Sequence, residues 1–179
     1  MVVAREQPAS VGAGLVPLGV HLVGNPRASE NEWIIDETVY VVHEVATGLA
    51  RTDSRWEAYR EVLDDPERLQ TYLDWRDRVF LAPRPLDHYL DALGRAGFKI
   101  QEVTERTIEA RVAEWYEFLA AYADAVLGWA GGSAKVDGAP ATDEAAADRL
   151  ELLRRSLETI FGGRPTFRCC WTYITATRA

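Results

Sequence analysis

One stretch decides most of the fold: Pro85-Leu86-Asp87-His88-Tyr89-Leu90-Asp91-Ala92-Leu93-Gly94-Arg95-Ala96-Gly97-Phe98. Proline suits the first turn of a helix because its missing N–H has no partner there. Three leucines at helical spacing form one apolar stripe, and Gly97 can adopt the left-handed conformation that ends a helix. The stretch therefore predicts a short helix that leads into a strand from Phe98 to about Thr107.

The rest of the chain predicts two more strands and five more helices. Leu15–Val23 is apolar on both faces, which is typical of a strand between helical layers, although Pro17 removes one ladder donor. Alternating residues over Phe167–Thr175 predict the last strand. Ser54 and Glu57 form the pattern of a capping box at one helix start. The five helices are expected at about 38–49, 54–63, 65–80, 112–129 and 142–161.

These elements predict an α/β fold with one main domain. Residues 1–13 are small and polar, and we expect a flexible leader there. Residues 14–179 are expected to form a single domain, with 25–84 as a helical insertion.

Composition limits the classes of molecule that this chain is expected to bind. The chain has 179 residues, 47% of them hydrophobic, and a net charge of −8, which argues against non-specific binding to nucleic acid or anionic membranes. Cys169 and Cys170 are adjacent, so they indicate neither a disulfide framework nor a metal motif. Three distant histidines have no metal-ligand spacing. We expect a cytoplasmic protein with no membrane contact and no bound metal, whose partners are small molecules or proteins.

This order of elements resembles the C-terminal, substrate-facing half of the class I S-adenosylmethionine-dependent methyltransferases, in the small-molecule group often called type 11 or UbiE-like. The resemblance implies part of a Rossmann-like methyltransferase sheet with an inserted helical lid. Leu15–Val23 would be the fifth strand of that family and Phe98–Thr107 the sixth. Phe167–Thr175 would be the seventh strand, placed between the other two.

The resemblance also implies S-adenosylmethionine as cofactor, but the motif with which the family binds it is missing from this sequence. The family uses a Gly-rich turn after its first strand, whereas Gly12-Ala13-Gly14 precedes a strand here. The cofactor-binding residues are therefore unknown, and we expect weak binding or none by this chain alone. Either the gene product is truncated or another chain supplies that half. The apolar edge of Leu15–Val23 favours a homo-oligomer or such a partner chain.

Three residues are candidates for acid–base or ligand chemistry. His43 falls in the region of the family's active-site lid, and histidine has a reference pKa near neutrality, so it is a candidate general base. Glu44 could take the same role. His21 lies near the end of the first expected strand, where ligands of open α/β sheets collect. For both histidines the alternative is an ordinary side chain with one satisfied hydrogen bond.

The remaining candidates would bind substrate. Arg76 lies on an apolar helical stripe, where a guanidinium anchors an acidic substrate or forms an ion pair with Asp77 or Asp87. Aromatic residues of the insertion could wall an apolar pocket, or simply form core; the candidates are Trp33, Tyr40, Tyr72 and Trp75.

The leading hypothesis is a methyltransferase-family enzyme that acts on a small molecule. Two alternatives remain open. One is a non-catalytic binding or assembly module. The other is a small-ligand isomerase or cyclase that uses His43 and Arg76.

Overall fold

The computed structural model describes residues 3–6, 18–22, 32–33, 35–80 and 84–178, and the side chains of 38–80 and 84–178. The protein is a mixed α/β protein, as the sequence predicts. The strands are β1 (Val3–Glu6), β2 (Leu18–Leu22), β3 (Glu32–Trp33), β4 (Phe98–Arg111) and β5 (Thr166–Arg178). The helices are α1 (Ile35–Thr52), α2 (Arg60–Asp64), α3 (Pro66–Val79), α4 (Leu86–Arg95), α5 (Val112–Ala121), α6 (Ala123–Val126), α7 (Ala134–Asp137) and α8 (Asp143–Phe161).

The chain divides into two compact units. The first comprises Met1–Glu37, Ala82–Glu109 and Arg168–Ala179, and the second comprises Thr38–Leu81 and Ala110–Phe167. The first unit holds the sheet and α4. The second is helical and contains most of the residues predicted for the site.

The long strand β5 organises the sheet. It pairs with β2 in antiparallel register, with His21 opposite Tyr173, and with β3 in parallel register, with Trp33 opposite Cys169. It also pairs with β4. Gln101 donates to Thr177 at 3.1 Å, and the guanidinium of Arg106 lies 5.4 Å from the ring centre of Tyr173. Residue numbers therefore rise along β4 as they fall along β5, so this pair is also antiparallel.

The other edge of β2 is paired as well. β1 lies antiparallel to it, with Val3 opposite His21 and Glu6 opposite Leu18. The leader expected to be flexible thus contains a short strand. The expectation of a homo-oligomer or partner chain assumed that this edge of β2 has no partner strand. In the structure β1 covers it over residues 18–21.

The stretch that opened the sequence analysis forms α4 and β4. Gly97 adopts φ = 81°, the left-handed conformation that ends the helix. The apolar stripe of α4 packs on Ile174 of β5, which is 1% exposed, through Leu86, Tyr89, Leu90 and Leu93. The three leucines are only partly buried, so each contributes less than a fully buried leucine does (about 1.5–3 kcal/mol), but their packing on the sheet stabilises a helix too short to form alone.

Polar caps define the helices of the second unit. Asp65 accepts hydrogen bonds from the backbone of Glu67 and Arg68 at 3.1 and 3.0 Å, with Pro66 at the first position of α3. Thr142 accepts from Ala145 at 3.2 Å and caps α8. Both starts agree with the sequence.

Two helical predictions need correction. The expected capping box of Ser54 and Glu57 does not form: Asp53 accepts from the backbone N–H of Arg55 at 2.9 Å, and Ser54–Tyr59 is a 3₁₀ helix. The long helix expected over 112–129 breaks at Tyr122, between α5 and α6. Nearly all residues from 123 to 130 are buried, so apolar residues occur there at every spacing. Their pattern cannot distinguish a helix from a turn.

Candidate functional site

His43 lies in the middle of α1 and is held by Trp129. The indole Nε1 donates to His43 Nδ1 at 3.2 Å, and the two rings meet edge to face at 6.2 Å between centroids. An indole N–H is only a donor, so Nδ1 of His43 must carry the lone pair. In the neutral ring the proton is then on Nε2.

The surroundings of His43 keep it neutral. Burial, followed by the positive charge of Arg76, lowers the pKa of His43 to about 4, against an opposing contribution from Asp77. Its one basic nitrogen is occupied by Trp129. His43 can therefore donate a hydrogen bond from Nε2, but it can take up a proton at Nδ1 only by giving up the Trp129 contact. Glu44 is exposed.

Arg76 is closed in by protein groups. Its side chain is 9% exposed, and both Nε and Nη2 lie 2.8 Å from Oδ1 of Asp77, whose side chain is 49% exposed. The guanidinium carbon lies 4.5 Å from the ring centre of Tyr40, whose hydroxyl donates to the carbonyl of Phe80 at 2.9 Å. The ion pair with Asp77 is the alternative that the sequence left open for this arginine.

Tyr40, His43, Glu44 and Arg76 border none of the cavities described below. The side chains of His21 and Trp33 lie outside the described residues; only their backbones are placed, in β2 and β3.

Tyr72 lies in a different environment. It is 3% exposed, and its hydroxyl donates to the carboxylate of Asp137, with O–O distances of 2.8 and 2.9 Å. The same carboxylate accepts the backbone N–H of Ser133 at 2.7 Å. Burial, followed by the hydrogen bond to Asp137, raises the pKa of Tyr72. The phenol therefore stays protonated and ties α3 to the loop that contains α7.

Two cavities lie along α3 and share Arg68 and Asp137; together we call them the α3 cleft. The larger, the Trp75 cavity, has a volume of about 690 Å³ and is lined mostly by charged residues. The smaller, the Tyr59 cavity, has a volume of about 500 Å³. Aromatic residues on its wall are Tyr59, Tyr72 and Trp129. Of the residues proposed from the sequence, Tyr72 and Trp75 thus border cavities.

The sequence did not indicate the other members of the cleft. Tyr59 donates to Asp148 at 3.1 Å, and burial, followed by this hydrogen bond, raises the pKa of Tyr59 to about 12. Asp137 lies in a loop rich in Gly, Ala, Ser and Pro, where a single carboxylate carries no periodic signal. Residues 59 and 148, or 72 and 137, are too distant in sequence for spacing to link them.

A further cavity of about 500 Å³ lies at the start of α5 and the end of α8. Its floor is apolar, with Leu157 and Phe161 at most 2% exposed. Arg154 at its rim pairs with Glu151 and Glu158. It contains none of the residues proposed from the sequence.

The described residues do not fit the cofactor that the resemblance implies. Gly131 and Gly132 follow α6 rather than a strand. A Cβ at Gly131 would lie 2.7 Å from Cβ of Ala145, so this glycine admits α8 and leaves no room for a ligand. We assign no contact to S-adenosylmethionine within 38–80 or 84–178.

The described residues contain no group of three or more His, Cys, Asp or Glu that could hold a metal ion. Among the same residues, no helix combines the length and the apolar character needed to cross a bilayer. No family model, no curated protein and no solved structure matches this chain.

Proposed function

We propose that this chain forms the acceptor-binding side of a small-molecule methyltransferase of the class I type. The observation that carries the proposal is the sheet: β5 pairs with β2 and with β4, and both pairs are antiparallel. This is the arrangement that the resemblance implies for its fifth, seventh and sixth strands. Helix α4 precedes β4, and helices α5 to α8 precede β5, in the same order.

The acceptor would bind in the α3 cleft, where Tyr72 and Trp75 lie. Methyl transfer depends mostly on positioning and on exclusion of water, so a binding cleft that contains neither His43 nor Glu44 is compatible with it. The isomerase or cyclase alternative is less favoured, because His43 and Arg76 are engaged by Trp129 and Asp77.

The cofactor side would come from sequence outside the described residues, since the described residues do not fit it. In the family sheet a fourth strand lies beside the fifth. Here β1 takes that position beside β2, so a partner strand would have to displace residues 3–6. Removal of residues 1–13 should then strengthen the association with the partner.

The first experiment is calorimetry of the chain alone with S-adenosylmethionine and S-adenosylhomocysteine. Micromolar affinity is worth about 8 kcal/mol, and the groups present should not supply it, so we expect no such binding. Micromolar binding by the lone chain would show that our assignment of the missing half is wrong.

The second experiment combines the chain with the polypeptide encoded directly upstream and measures the transfer of labelled methyl groups to a panel of small molecules. We expect transfer by the pair and none by either chain alone. The proposal fails if the upstream sequence encodes no strand followed by a Gly-rich turn, or if the pair releases no S-adenosylhomocysteine. Binding of small molecules without transfer would favour a non-catalytic module.

A further inference from the structure

The cavity at the start of α5 and the end of α8, which we call the α5–α8 cavity, is separate from the α3 cleft. The two share no lining residue. Its volume of about 500 Å³ lies in the range of small-molecule sites. The backbone N–H of Val112 donates to the carbonyl of Pro165 at 2.9 Å, which ties the start of α5 to the segment after α8. The cavity is therefore formed by two helix ends that are joined to each other.

Apolar surface in this cavity is open to a ligand. Leu157 and Phe161 close its floor and are themselves buried. The walls include Val112 and Tyr116, which are partly exposed, and Pro165, which is exposed. A ligand with a small apolar group would cover these wall residues without displacing the buried core.

Most of the cationic groups around the cavity are already paired. Arg154 donates through Nε, Nη1 and Nη2 to the carboxylates of Glu151 and Glu158. Arg111 forms an ion pair with Glu114 at 3.1 Å. These ion pairs engage two of the three guanidinium groups that line the cavity.

Two lining residues of opposite charge are not engaged in this way. Arg164 uses Nε for the carbonyl of Phe161, at 2.9 Å, and no carboxylate of the described residues pairs with its guanidinium. The carboxylate of Glu117 forms no hydrogen bond or ion pair with the described residues. Both side chains are exposed and line the same cavity, yet they do not pair with each other. The cavity thus presents one positive and one negative group at separate positions.

We propose that the α5–α8 cavity binds a small zwitterion with an apolar group, of which an apolar amino acid is the simplest. The ligand carboxylate pairs with the Nη groups of Arg164, since a guanidinium binds carboxylates in a planar, bidentate way. The ligand ammonium donates to Glu117, and the apolar group contacts Val112 and Tyr116. This binding does not depend on the proposed methyl transfer, whose acceptor is assigned to the α3 cleft.

The test compares three ligands of nearly the same shape by calorimetry. They are L-phenylalanine, phenylpropionate, which lacks the ammonium, and phenethylamine, which lacks the carboxylate. Exposed ion pairs contribute modestly, so we expect L-phenylalanine to bind about threefold more tightly than either analogue. An analogue that binds as tightly as L-phenylalanine, or no binding of L-phenylalanine at millimolar concentration, would overturn the proposal.

Two variants assign the charges to the two residues. Arg164→Gln should weaken the binding of L-phenylalanine and phenylpropionate about threefold and leave phenethylamine unchanged. Glu117→Gln should weaken L-phenylalanine and phenethylamine to a similar extent and leave phenylpropionate unchanged.

Arg95→Gln and Glu57→Gln are the matched controls. They remove the same charges at exposed positions that do not line the cavity, and they should change the affinity of none of the three ligands. If a control variant weakens binding as much as its counterpart in the cavity, the net charge of the protein sets the affinity and the proposal fails.

Discussion

Two positions on one face of α3, one turn apart, lie in different environments, although the sequence proposed a substrate-binding residue at each. Arg76 lies between Tyr40 and Asp77, and neither cavity of the α3 cleft reaches it. Tyr72, one turn earlier, borders the α3 cleft. The difference arises from the opposing segments. Arg76 meets the side chain of a regular helix, whereas Tyr72 meets an irregular loop that leaves space beside it.

The largest expected effect on stability concerns the ion pair of Arg76 and Asp77. Asp77→Ala should destabilise the protein by about 3 kcal/mol, because it leaves the buried guanidinium of Arg76 without a counter-charge. Arg76→Met should cost only about 1 kcal/mol, because Asp77 is half-exposed and water can solvate it. Urea denaturation of both variants measures the difference.

Asp74→Ala is the control for this pair, since Asp74 is an exposed residue of α3 that bonds only Gln70 among the described residues. It should change stability by less than about 0.5 kcal/mol. If Arg76→Met destabilises the protein more than Asp77→Ala does, an uncompensated charge on Arg76 is not the cause of the loss in Asp77→Ala.

The next effect on stability concerns the loop that packs against Tyr72. Gly131→Ala should cost about 2–3 kcal/mol, because Gly131 has φ = 91° and a Cβ there would lie 2.7 Å from Ala145. Gly138→Ala should cost about 1 kcal/mol, because Gly138 also has a positive φ, 73°, but open space around it. Thermal melting compares the two. Equal costs would mean that α8 does not press on the loop at Gly131.

The smallest effect is the pH dependence contributed by His43. Its pKa is about 4 in the folded protein against an ordinary value of 6.5, so the unfolded chain binds the proton more tightly. The contribution of His43 to stability is therefore complete above about pH 6.5 and falls as the pH drops toward 4. Between about pH 7 and pH 5 the loss should be about 2 kcal/mol.

His43→Asn tests this contribution, because an Asn oxygen can still accept the hydrogen bond of Trp129 but does not titrate. Its urea midpoint should fall less between pH 7 and pH 5 than that of the unmodified chain. An unchanged slope in His43→Asn would show that the histidine is not kept neutral by its surroundings.

Most of the secondary structure could be read from local signals. The caps at Asp65 and Thr142 and the stop at Gly97 act within a few residues, so the sequence shows them directly. The break at Tyr122 was not readable, because apolar residues continue at helical spacing through it. In the last helix, helical spacing predicts that Leu150, Leu153, Leu157 and Ile160 face the core. Leu153 and Leu157 are buried together with Leu152 and Phe161, whereas Leu150 and Ile160 are only partly buried.

The candidate site was predictable only in part. Tyr72 and Trp75 were proposed as walls of an apolar pocket; both border cavities, but that of Trp75 is lined mostly by charged residues. Asp137, Tyr59 and Trp129 carried no local signal. The catalytic roles proposed for His43 and Glu44 stay predictions. The contacts that matter at the cleft join residues 65 and 89 positions apart, and no periodicity reaches that far.

The sequence by itself determined the α/β class and the helix ends that carry a local signal, at Asp65, Gly97 and Thr142, because capping and stop residues act within one turn. The tertiary structure decided which residues of each helix are buried and which border a cavity. Arg76 is neutralised and Tyr72 borders open space because of what packs opposite each of them, and that depends on contacts between distant segments. The tautomer of His43 was decided in the same way, by an indole 86 residues away.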